Sequence, residues 1–323
     1  MSAILRWMAM GMQDQYEREI NYLRLSVIGS CDCRCPYCVP HGEKMHCQPL
    51  LSADELTELA HAAVSCGVHK IRLTGGEPLL RKDIVELCRR MALIPGVEEL
   101  CLTTNGIHLT RLAPELKRAG VSRLNISLDT LLPERFHSLT GHDCLGKVLQ
   151  GIEAAQREGF DRIKLNVVLM AGINEDEIPN FITFGRETAL NVRFIELMPI
   201  GPCAAFARAH YLPAEAVLKA YPELRFLQQD GVAQLYTLPG NVGRVGLIRP
   251  ISHKFCAQCQ RIRIDSSGML RPCLHSTEGI VLRGLHGKEL ENAVRAGILH
   301  KPHEHTILAG KPVQTQMMYQ IGG

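Results

Sequence analysis

The sequence predicts an α/β fold: an incomplete (β/α)6 TIM-like barrel followed by a smaller C-terminal α+β extension. Six apolar runs of strand length occur at residues 23–28, 70–74, 99–104, 123–128, 163–169 and 192–197. Helix-like stretches separate these runs, and strands that alternate with helices are typical of a parallel sheet. Six consecutive units favour a partial barrel over a doubly wound sheet.

Five helices are predicted between these strands, at residues 52–66, 83–91, 109–119, 144–158 and 176–188. The first begins with Ser52, and Glu55 three residues later completes the pattern of a capping box. Gly67, Gly120 and Gly159 follow three of the helices, where glycine commonly ends a helix. These end signals support the helices independently of their apolar periodicity.

The alternation of strands and helices stops after Pro199, which marks the predicted start of the extension. Short strand-like runs follow at 234–238, 244–248 and 261–265, and then two weak helical stretches and a tail. We therefore divide the chain into an N-terminal tail (1–20), a partial barrel (21–199) and a C-terminal region (200–323) that ends in two glycines.

Composition excludes several classes of protein. The 323 residues are 46% apolar and 21% charged, as in globular domains, and no segment has the roughly 18 uninterrupted apolar residues of a membrane span. A net charge of +3 is too small to indicate DNA, RNA or an anionic membrane as partner. The 13 cysteines are about 4% of the chain, below the roughly 8–10% of a disulfide scaffold.

The N-terminus predicts a cytoplasmic protein. The first twelve residues carry one arginine and no small-residue cleavage site, so we expect no signal peptide. Met8, Met10 and Met12 are alternative starts. In a reducing cytoplasm, clustered thiols bind metal more often than they pair as disulfides.

The first cysteine cluster follows the first predicted strand. Cys31, Cys35 and Cys38 have the spacing C-x3-C-x2-C, and three thiolates on a 4Fe-4S cube leave one iron open to a ligand. Cys33 adds a fourth local thiol, but its place between two of the ligands would strain simultaneous binding. Zinc is an alternative, whose fourth ligand would be one of His41, His46 and Cys47.

The second predicted strand ends in a glycine pair. Gly75 and Gly76 would let the backbone approach a ligand closely, and Glu77 would accept a hydrogen bond from an ammonium group. An ordinary turn is the alternative, since turns use glycine and proline freely. The position directly after a C-x3-C-x2-C loop favours the ligand site.

The second cysteine cluster lies in the extension. Cys256, Cys259 and Cys273 again offer three thiolates, and a zinc site completed by His253 or His275 is the alternative. Arg261 and Arg263 follow on a predicted strand, where they project to one face. Two guanidinium groups beside a metal suit a phosphate-bearing ligand, although a solvated strand face would look the same.

Together the C-x3-C-x2-C loop and the G-G-E-P sequence resemble the radical S-adenosylmethionine (SAM) superfamily. Further motifs narrow this resemblance to the molybdenum cofactor biosynthesis protein A family, the GTP 3',8-cyclases, from about residue 21 to the last residue. These motifs are LRLS at 23–26, KIRLTGGEP at 70–78, TTNG at 103–106, NISLD at 125–129, KLN at 164–166, VRFIELMP at 192–199, FCAQCQRIR at 255–263 and the final GG.

The resemblance implies two 4Fe-4S clusters at opposite ends of one cavity, with SAM on the first and GTP facing the second. It assigns the first cluster to Cys31, Cys35 and Cys38 and the second to Cys256, Cys259 and Cys273. The implied SAM contacts are Tyr37, Gly76, Ser127 and Met198. The implied GTP contacts are Arg24, Arg72, Thr103, Lys164, Arg193, Arg261, Ile262 and Arg263. The residues implied to assist catalysis are Arg261, Arg263, Gly322 and Gly323.

The implied activity is cyclisation of GTP to 3',8-cyclo-7,8-dihydro-GTP, an early step of molybdopterin biosynthesis. The implied partners are a flavodoxin- or ferredoxin-type electron donor and the next enzyme of that pathway, and a homodimer is allowed. Gly29-Ser30 stands where the family commonly has Asp-Arg, and Cys33 stands where it has an aromatic residue. These departures leave a paralogue acting on another substrate, such as a peptide, as one alternative. An iron-sulfur redox sensor is the non-enzymatic alternative.

Overall fold

The computed structural model describes residues 12–43, 45, 49–239, 243–305, 307 and 315–322. Its strands are β1 (Met12–Gln13), β2 (Glu19–Ile20), β3 (Tyr22–Ser26), β4 (Lys70–Thr74), β5 (Glu99–Thr104), β6 (Arg123–Ser127), β7 (Ile163–Leu169), β8 (Asn191–Glu196), β9 (Arg225–Asp230), β10 (Ala233–Thr237), β11 (Val245–Ile248), β12 (Arg261–Ile264), β13 (Met269–Arg271) and β14 (Ile280–Val281). Its α-helices are α1 (Ala53–Ser65), α2 (Ile84–Ala92), α3 (Leu109–Arg118), α4 (Pro133–Thr140), α5 (Leu145–Arg157), α6 (Ile178–Glu187), α7 (Ala204–Ala209), α8 (Glu215–Ala220), α9 (Gly287–Leu299) and α10 (Met318–Ile321).

The predicted incomplete barrel is confirmed. Strands β3 to β8 are neighbours in chain order and pair in parallel, with helices between them. The sheet stays open, because its outermost strands are β14 at one end and β9 at the other.

The extension is more closely joined to the barrel than its separate sequence pattern suggests. Strand β12 pairs in parallel with β3, and β11 pairs in parallel with β8, so both edges of the six-stranded core are extended. Antiparallel hairpins complete the twelve strands, with β13 and β14 beyond β12 and with β10 and β9 beyond β11. The division of the chain at residue 200 remains a prediction.

The strands alternate between an apolar face and a polar face. Leu23 and Leu25 of β3 are fully buried in the main hydrophobic core, as are Ile71 and Leu73 of β4. This core joins the outer face of the sheet to the helices, as the period of two along a strand requires. The other face carries the polar residues of the same strands, and it is the inner face of the barrel.

Local signals in the sequence account for several helix ends. Ser52 caps α1 and receives a hydrogen bond from the Glu55 amide, while the Glu55 carboxylate accepts from the Ser52 amide, as the capping box predicts. The sequence did not predict α4, an eight-residue helix that begins with Pro133 at its first position. Short helices are easily missed, since two turns show little periodicity.

Among the described residues, no helix has the length and apolar character that crossing a membrane requires. The longest of these helices have 13 residues.

Candidate active site

The inner face of the barrel carries a row of arginines. The strand registers place Arg263 of β12 beside Arg24 of β3, and Arg24 beside Arg72 of β4. Burial lowers the pKa of Arg263, and the neighbouring Arg24 and Arg261 guanidinium groups lower it further. Buried cations at this density require anions, so this face is suited to a polyanionic ligand.

Tyr22, the first residue of β3, contacts this row of arginines and was not predicted as a site residue. Its hydroxyl oxygen accepts a hydrogen bond from Arg72 Nε at 2.5 Å. Burial alone would raise the pKa of Tyr22, but Arg72 and Arg24 lower it to about 8. Its position two residues before Arg24 on one strand is the sequence signal that would have found it.

A second group of cations lies on β7 and β8. Lys164 Nζ donates to Asp230 Oδ2 at 2.9 Å, and Arg193 Nη2 donates to the same oxygen. Burial and the nearby Arg193 lower the pKa of Lys164 to about 8. Thr103, another predicted GTP contact, lies two strands from Lys164 in the continuous register through Asn125. The structure therefore brings predicted GTP contacts of six strands to one face. Ile262 is the exception, because its side chain is fully buried in the main hydrophobic core on the other face of β12.

The first cysteine triad occupies the loop after the carboxyl end of β3. Cys31, Cys35 and Cys38 are half-buried, and the Cys35 carbonyl accepts a hydrogen bond from the Cys38 amide at 2.8 Å. The pKa of the Cys38 thiol is raised by burial and by the proximity of Cys35 and Cys31. The three thiols are therefore close enough to influence each other electrostatically.

The glycine pair after β4 supports this loop by close backbone contact. A Cβ atom on Gly76 would lie 2.1 Å from the Ser30 carbonyl oxygen and 2.9 Å from the Cys31 amide nitrogen. The Gly76 amide donates to the Ile28 carbonyl at 2.9 Å, so the two loops are held together. Only glycine fits this approach.

Replacing Gly76 by Ala is expected to displace the cysteine loop, because the clashing atoms belong to the backbone. Reductive cleavage of SAM, measured as 5'-deoxyadenosine, should fall by about 100-fold, since small misplacements near the reacting atoms have effects of this size. Gly146→Ala is the matched control, because no atom lies within 4 Å of a Cβ built there. Normal cleavage by the Gly76 variant would show that the contact is not needed.

The Glu77 carboxylate, expected to accept from an ammonium group, already accepts hydrogen bonds within the protein. Its buried carboxylate accepts hydrogen bonds from the Leu79 amide at 2.8 Å, the Thr104 hydroxyl at 2.8 Å and the Asn105 amide at 2.6 Å. Burial raises its pKa to about 7, although these hydrogen bonds by themselves would lower it. The carboxylate therefore joins the loops after β4 and β5 and has little capacity left for a ligand.

The other predicted SAM contacts surround the same end of the sheet. Ser127 ends β6 and Met198 follows β8, and both are half-buried. The Tyr37 hydroxyl donates to Asp129 Oδ2 at 2.5 Å. Burial raises the pKa of Asp129 to about 6, although the Tyr37 and Val168 hydrogen bonds oppose this. All these residues lie at or beyond the carboxyl ends of the strands.

The second cysteine triad lies at the opposite end of the sheet. Cys259 comes two residues before β12, which runs parallel to β3, so it lies at the amino end of the strands. Burial and the neighbouring Cys273 and Cys259 raise the pKa of Cys256. Burial would also raise the pKa of Cys259, but Arg261 and Lys301 lower it to about 6. A stabilised thiolate is the form that binds metal.

Two basic residues that the sequence analysis missed hold the second triad together. Arg18, paired with Asp14 at 2.7 Å, donates to the carbonyls of Cys256 and His303, each at 2.9 Å. Lys301 donates from Nζ to the carbonyls of Arg261 and Pro272, at 2.8 and 2.7 Å. The Arg18 bonds connect segments more than 200 residues apart, and the Lys301 bonds connect residues 40 and 29 positions apart. No local signal in the sequence predicts them.

The spacing of the thiols argues against zinc at either triad. Within the described ranges, the one group of three or more potential ligands whose atoms lie within 4.8 Å of each other is Cys31, Asp32 and Cys33. A single tetrahedral zinc ion would bring its sulfur ligands to about 4 Å of each other. Each triad supplies three thiols, the donor set that holds a 4Fe-4S cube and leaves one iron open. His46 and Cys47, considered for a zinc site, lie outside the described residues.

The C-terminal tail contacts the inner face of the barrel. The Gly322 carbonyl accepts a hydrogen bond from Arg263 Nη1 at 2.5 Å. A Cβ atom on Gly322 would lie 2.6 Å from Thr74 Oγ1 and 3.0 Å from Ser26 Cβ. Both contacts are at the carboxyl ends of their strands, so the tail approaches the first triad from the inner face. Gly323 lies outside the described residues.

Comparisons with known proteins agree with this geometry. A model of the radical SAM superfamily matches residues 25–185, and a model described as Molybdenum Cofactor Synthesis C matches residues 190–307. A solved structure of Streptococcus suis SuiB bound to S-adenosylmethionine has a TM-score of 0.57 at 14% identity, covering 94% of this chain and 75% of that one. This likeness shows the fold.

Curated relatives are closer in sequence. A GTP 3',8-cyclase of Moorella thermoacetica is 44% identical, covering 97% of this chain and all of its own. A GTP 3',8-cyclase of Peptoclostridium acidaminophilum is 43% identical, covering 96% of this chain and 98% of its own. With two triads, a cationic inner face and identity at this level over its whole length, the chain belongs to the GTP 3',8-cyclase family of the radical SAM superfamily.

Proposed function

We propose that this protein is a lyase-type enzyme that converts GTP to 3',8-cyclo-7,8-dihydro-GTP in molybdenum cofactor biosynthesis. The observation that carries the proposal is the pair of cysteine triads at opposite ends of one arginine-lined face. When bound, two 4Fe-4S clusters and SAM supply the one-electron chemistry that removes hydrogen from C3' of the ribose.

The residues around the first triad hold and shield the cofactor. We assign Cys31, Cys35 and Cys38 to the first cluster, which leaves one iron without a thiolate. The surrounding SAM contacts are assigned to Tyr37, Gly76, Ser127 and Met198. The aliphatic neighbours of Tyr37 in a small buried cluster, Leu139, Met170 and Leu197, keep water from this end.

The residues of the second triad and the inner face hold the substrate. We assign Cys256, Cys259 and Cys273 to the second cluster, beside which the guanine base would lie. The contacts assigned to GTP are Arg24, Arg72, Thr103, Lys164, Arg193, Arg261, Ile262 and Arg263. The interior cations give the triphosphate charge-assisted hydrogen bonds and orient the ribose between the two ends.

The tail is assigned a role in catalysis. Its hydrogen bond to Arg263 links a predicted GTP contact to the loop ends near the first triad. We propose that Gly322 and Gly323, with Arg261 and Arg263, position the substrate for the bond between C3' and C8. This role is distinct from cluster binding, since neither glycine has a side chain that could bind a metal.

We also propose which partners the enzyme has and in which compartment it works. The reaction needs low-potential electrons, so we propose a flavodoxin- or ferredoxin-type donor, and the product would pass to the next enzyme of the molybdopterin pathway. The twelve described cysteines are unpaired, which supports a reducing compartment such as the cytoplasm. A homodimer is compatible with this proposal.

Mass spectrometry of the products tests the activity. The reduced, reconstituted enzyme with SAM and GTP should form a nucleotide with the mass of GTP but a different retention time, together with methionine and 5'-deoxyadenosine. Deuterium at C3' of GTP should appear in the 5'-deoxyadenosine. If 5'-deoxyadenosine forms without deuterium and without a new nucleotide, the proposal fails and the alternative of a different substrate, such as a peptide, gains support.

A further inference from the structure

The carboxylate of Asp230 is paired with two of the cations that we assign to GTP binding. Asp230 is the last residue of β9, and one of its oxygens accepts hydrogen bonds from both Lys164 and Arg193. The side chains of Lys164 and Arg193 are only 11% and 10% exposed, whereas that of Asp230 is 37% exposed. Of these three side chains, which we call the Asp230 cluster, the carboxylate is therefore the most accessible to solvent.

One carboxylate does not satisfy these two cations. Burial and Arg193 lower the pKa of Lys164, and the Asp230 hydrogen bond only partly opposes them. Arg193 Nε is buried and has no hydrogen-bond partner among the described residues. Arg72 and Arg123 lower the pKa of Arg193 further, although Arg123 is itself paired with Glu99. The Asp230 cluster therefore has an unused donor at Arg193 Nε and room for a further acceptor.

Asp230 is also positioned to move without disturbing the core. Strand β9 is the outermost strand at its end of the sheet, and the residues before Asp230 on it are exposed. Asp230 pairs with Ala233 across a tight turn, and Gly231 in this turn has a φ of +60°. Its release from Lys164 and Arg193 would cost the two hydrogen bonds that it accepts at this edge.

We propose that Asp230 is an exchangeable counterion, which keeps Lys164 and Arg193 paired in the free enzyme and is displaced by the polyphosphate of the substrate. The inference rests on the proposed function only in taking these cations as part of the nucleotide site. The ligand chemistry is a linear polyphosphate, which brings several oxygens and more charge than one carboxylate. Phosphate oxygens would also reach the unpartnered Arg193 Nε.

The test compares ligands with and without phosphates. For the reconstituted wild type and Asp230→Asn, calorimetry at pH 6.5, below the lowered pKa of Lys164, would measure binding of inorganic tripolyphosphate, GTP and guanosine. Tripolyphosphate and GTP should bind about 5- to 20-fold more tightly to the variant, since a partly buried competing charge is removed. Guanosine affinity should be unchanged.

Two further variants serve as controls. Glu223→Gln removes a charge from an exposed position just before β9 and should leave all three affinities unchanged. Asp230→Glu retains the charge and should bind as the wild type does. Tripolyphosphate binding that is unchanged or weaker in a folded Asp230→Asn protein would show that Asp230 is a structural brace, and the proposal would be wrong.

A measurement on the wild type keeps the proposal testable if the variant does not fold. Carbodiimide labelling of carboxylates, read by mass spectrometry, should modify Asp230 several-fold faster when tripolyphosphate is bound, because the carboxylate is then released from its cations. Equal labelling with and without tripolyphosphate would contradict the exchange. Neither readout involves cyclisation, so failure of the proposed activity would be seen separately in the product analysis.

Discussion

Replacing Cys259 by Ala is expected to lower the iron content of the reconstituted protein from about eight to about four atoms per chain, as loss of one of two 4Fe-4S clusters requires. Cyclisation should become undetectable. Cleavage of SAM should persist, because the first triad lies at the other end of the parallel strands. Iron and sulfide analysis, with assays of 5'-deoxyadenosine and of the nucleotide product, measures these three effects.

The control for this variant is Cys88→Ala. Cys88 is fully buried on α2 among apolar side chains, and burial alone raises the pKa of its thiol. It should retain about eight irons, since it belongs to neither triad. If Cys259→Ala also retains eight irons and full cyclisation, or if the wild type holds zinc in place of one cluster, the assignment of the second triad is wrong.

Replacing Gly322 by Ala is expected to lower cyclisation by about 100-fold while both clusters remain intact. The backbone at Gly322 has a φ of +75°, a conformation that costs an L residue roughly 1–2 kcal/mol. The added Cβ would also lie 2.6 Å from Thr74 Oγ1, so the tail must move away from the inner face. Cyclisation rate, iron content and GTP affinity should be measured together.

Gly284→Ala is the matched control for the tail variant. Its φ is +85°, close to that of Gly322, but no atom lies within 4 Å of a Cβ built there. The control therefore carries the same backbone strain without the contact, and its cyclisation should stay near that of the wild type. Full activity of Gly322→Ala would show that the tail contact has no role in the reaction.

Local sequence patterns predicted most of the barrel. The predicted bounds of β4, β5 and β7 are those observed, because each is a buried apolar run of strand length. Strand β9 was missed, since five of its six residues are exposed and its polar sequence has no alternation. The pairing of β12 with β3 was also beyond prediction, because it joins segments more than 230 residues apart.

The candidate site shows the same division. The proposed metal ligands are close together in sequence, so their spacing indicates a metal site. The resemblance assigns the two 4Fe-4S clusters and adds the cations of the inner face. The residues that support the site come from elsewhere in the chain. Asp230 pairs with Lys164, and Arg18 donates a hydrogen bond to the Cys256 carbonyl. Neither partner belongs to a motif, and each is recognised only from its contacts.

The sequence by itself determined the chemistry of this protein: two groups of three cysteines, a glycine pair after the second barrel strand, and cations on alternating strand positions. These features are local, because ligand spacing and strand periodicity span only a few residues. The tertiary structure alone decided that the two triads lie at opposite ends of one face, and that the Asp230 carboxylate pairs with Lys164 and Arg193 on that face. Both facts depend on which distant strands pair. Packing and hydrogen bonding across the whole sheet determine this pairing.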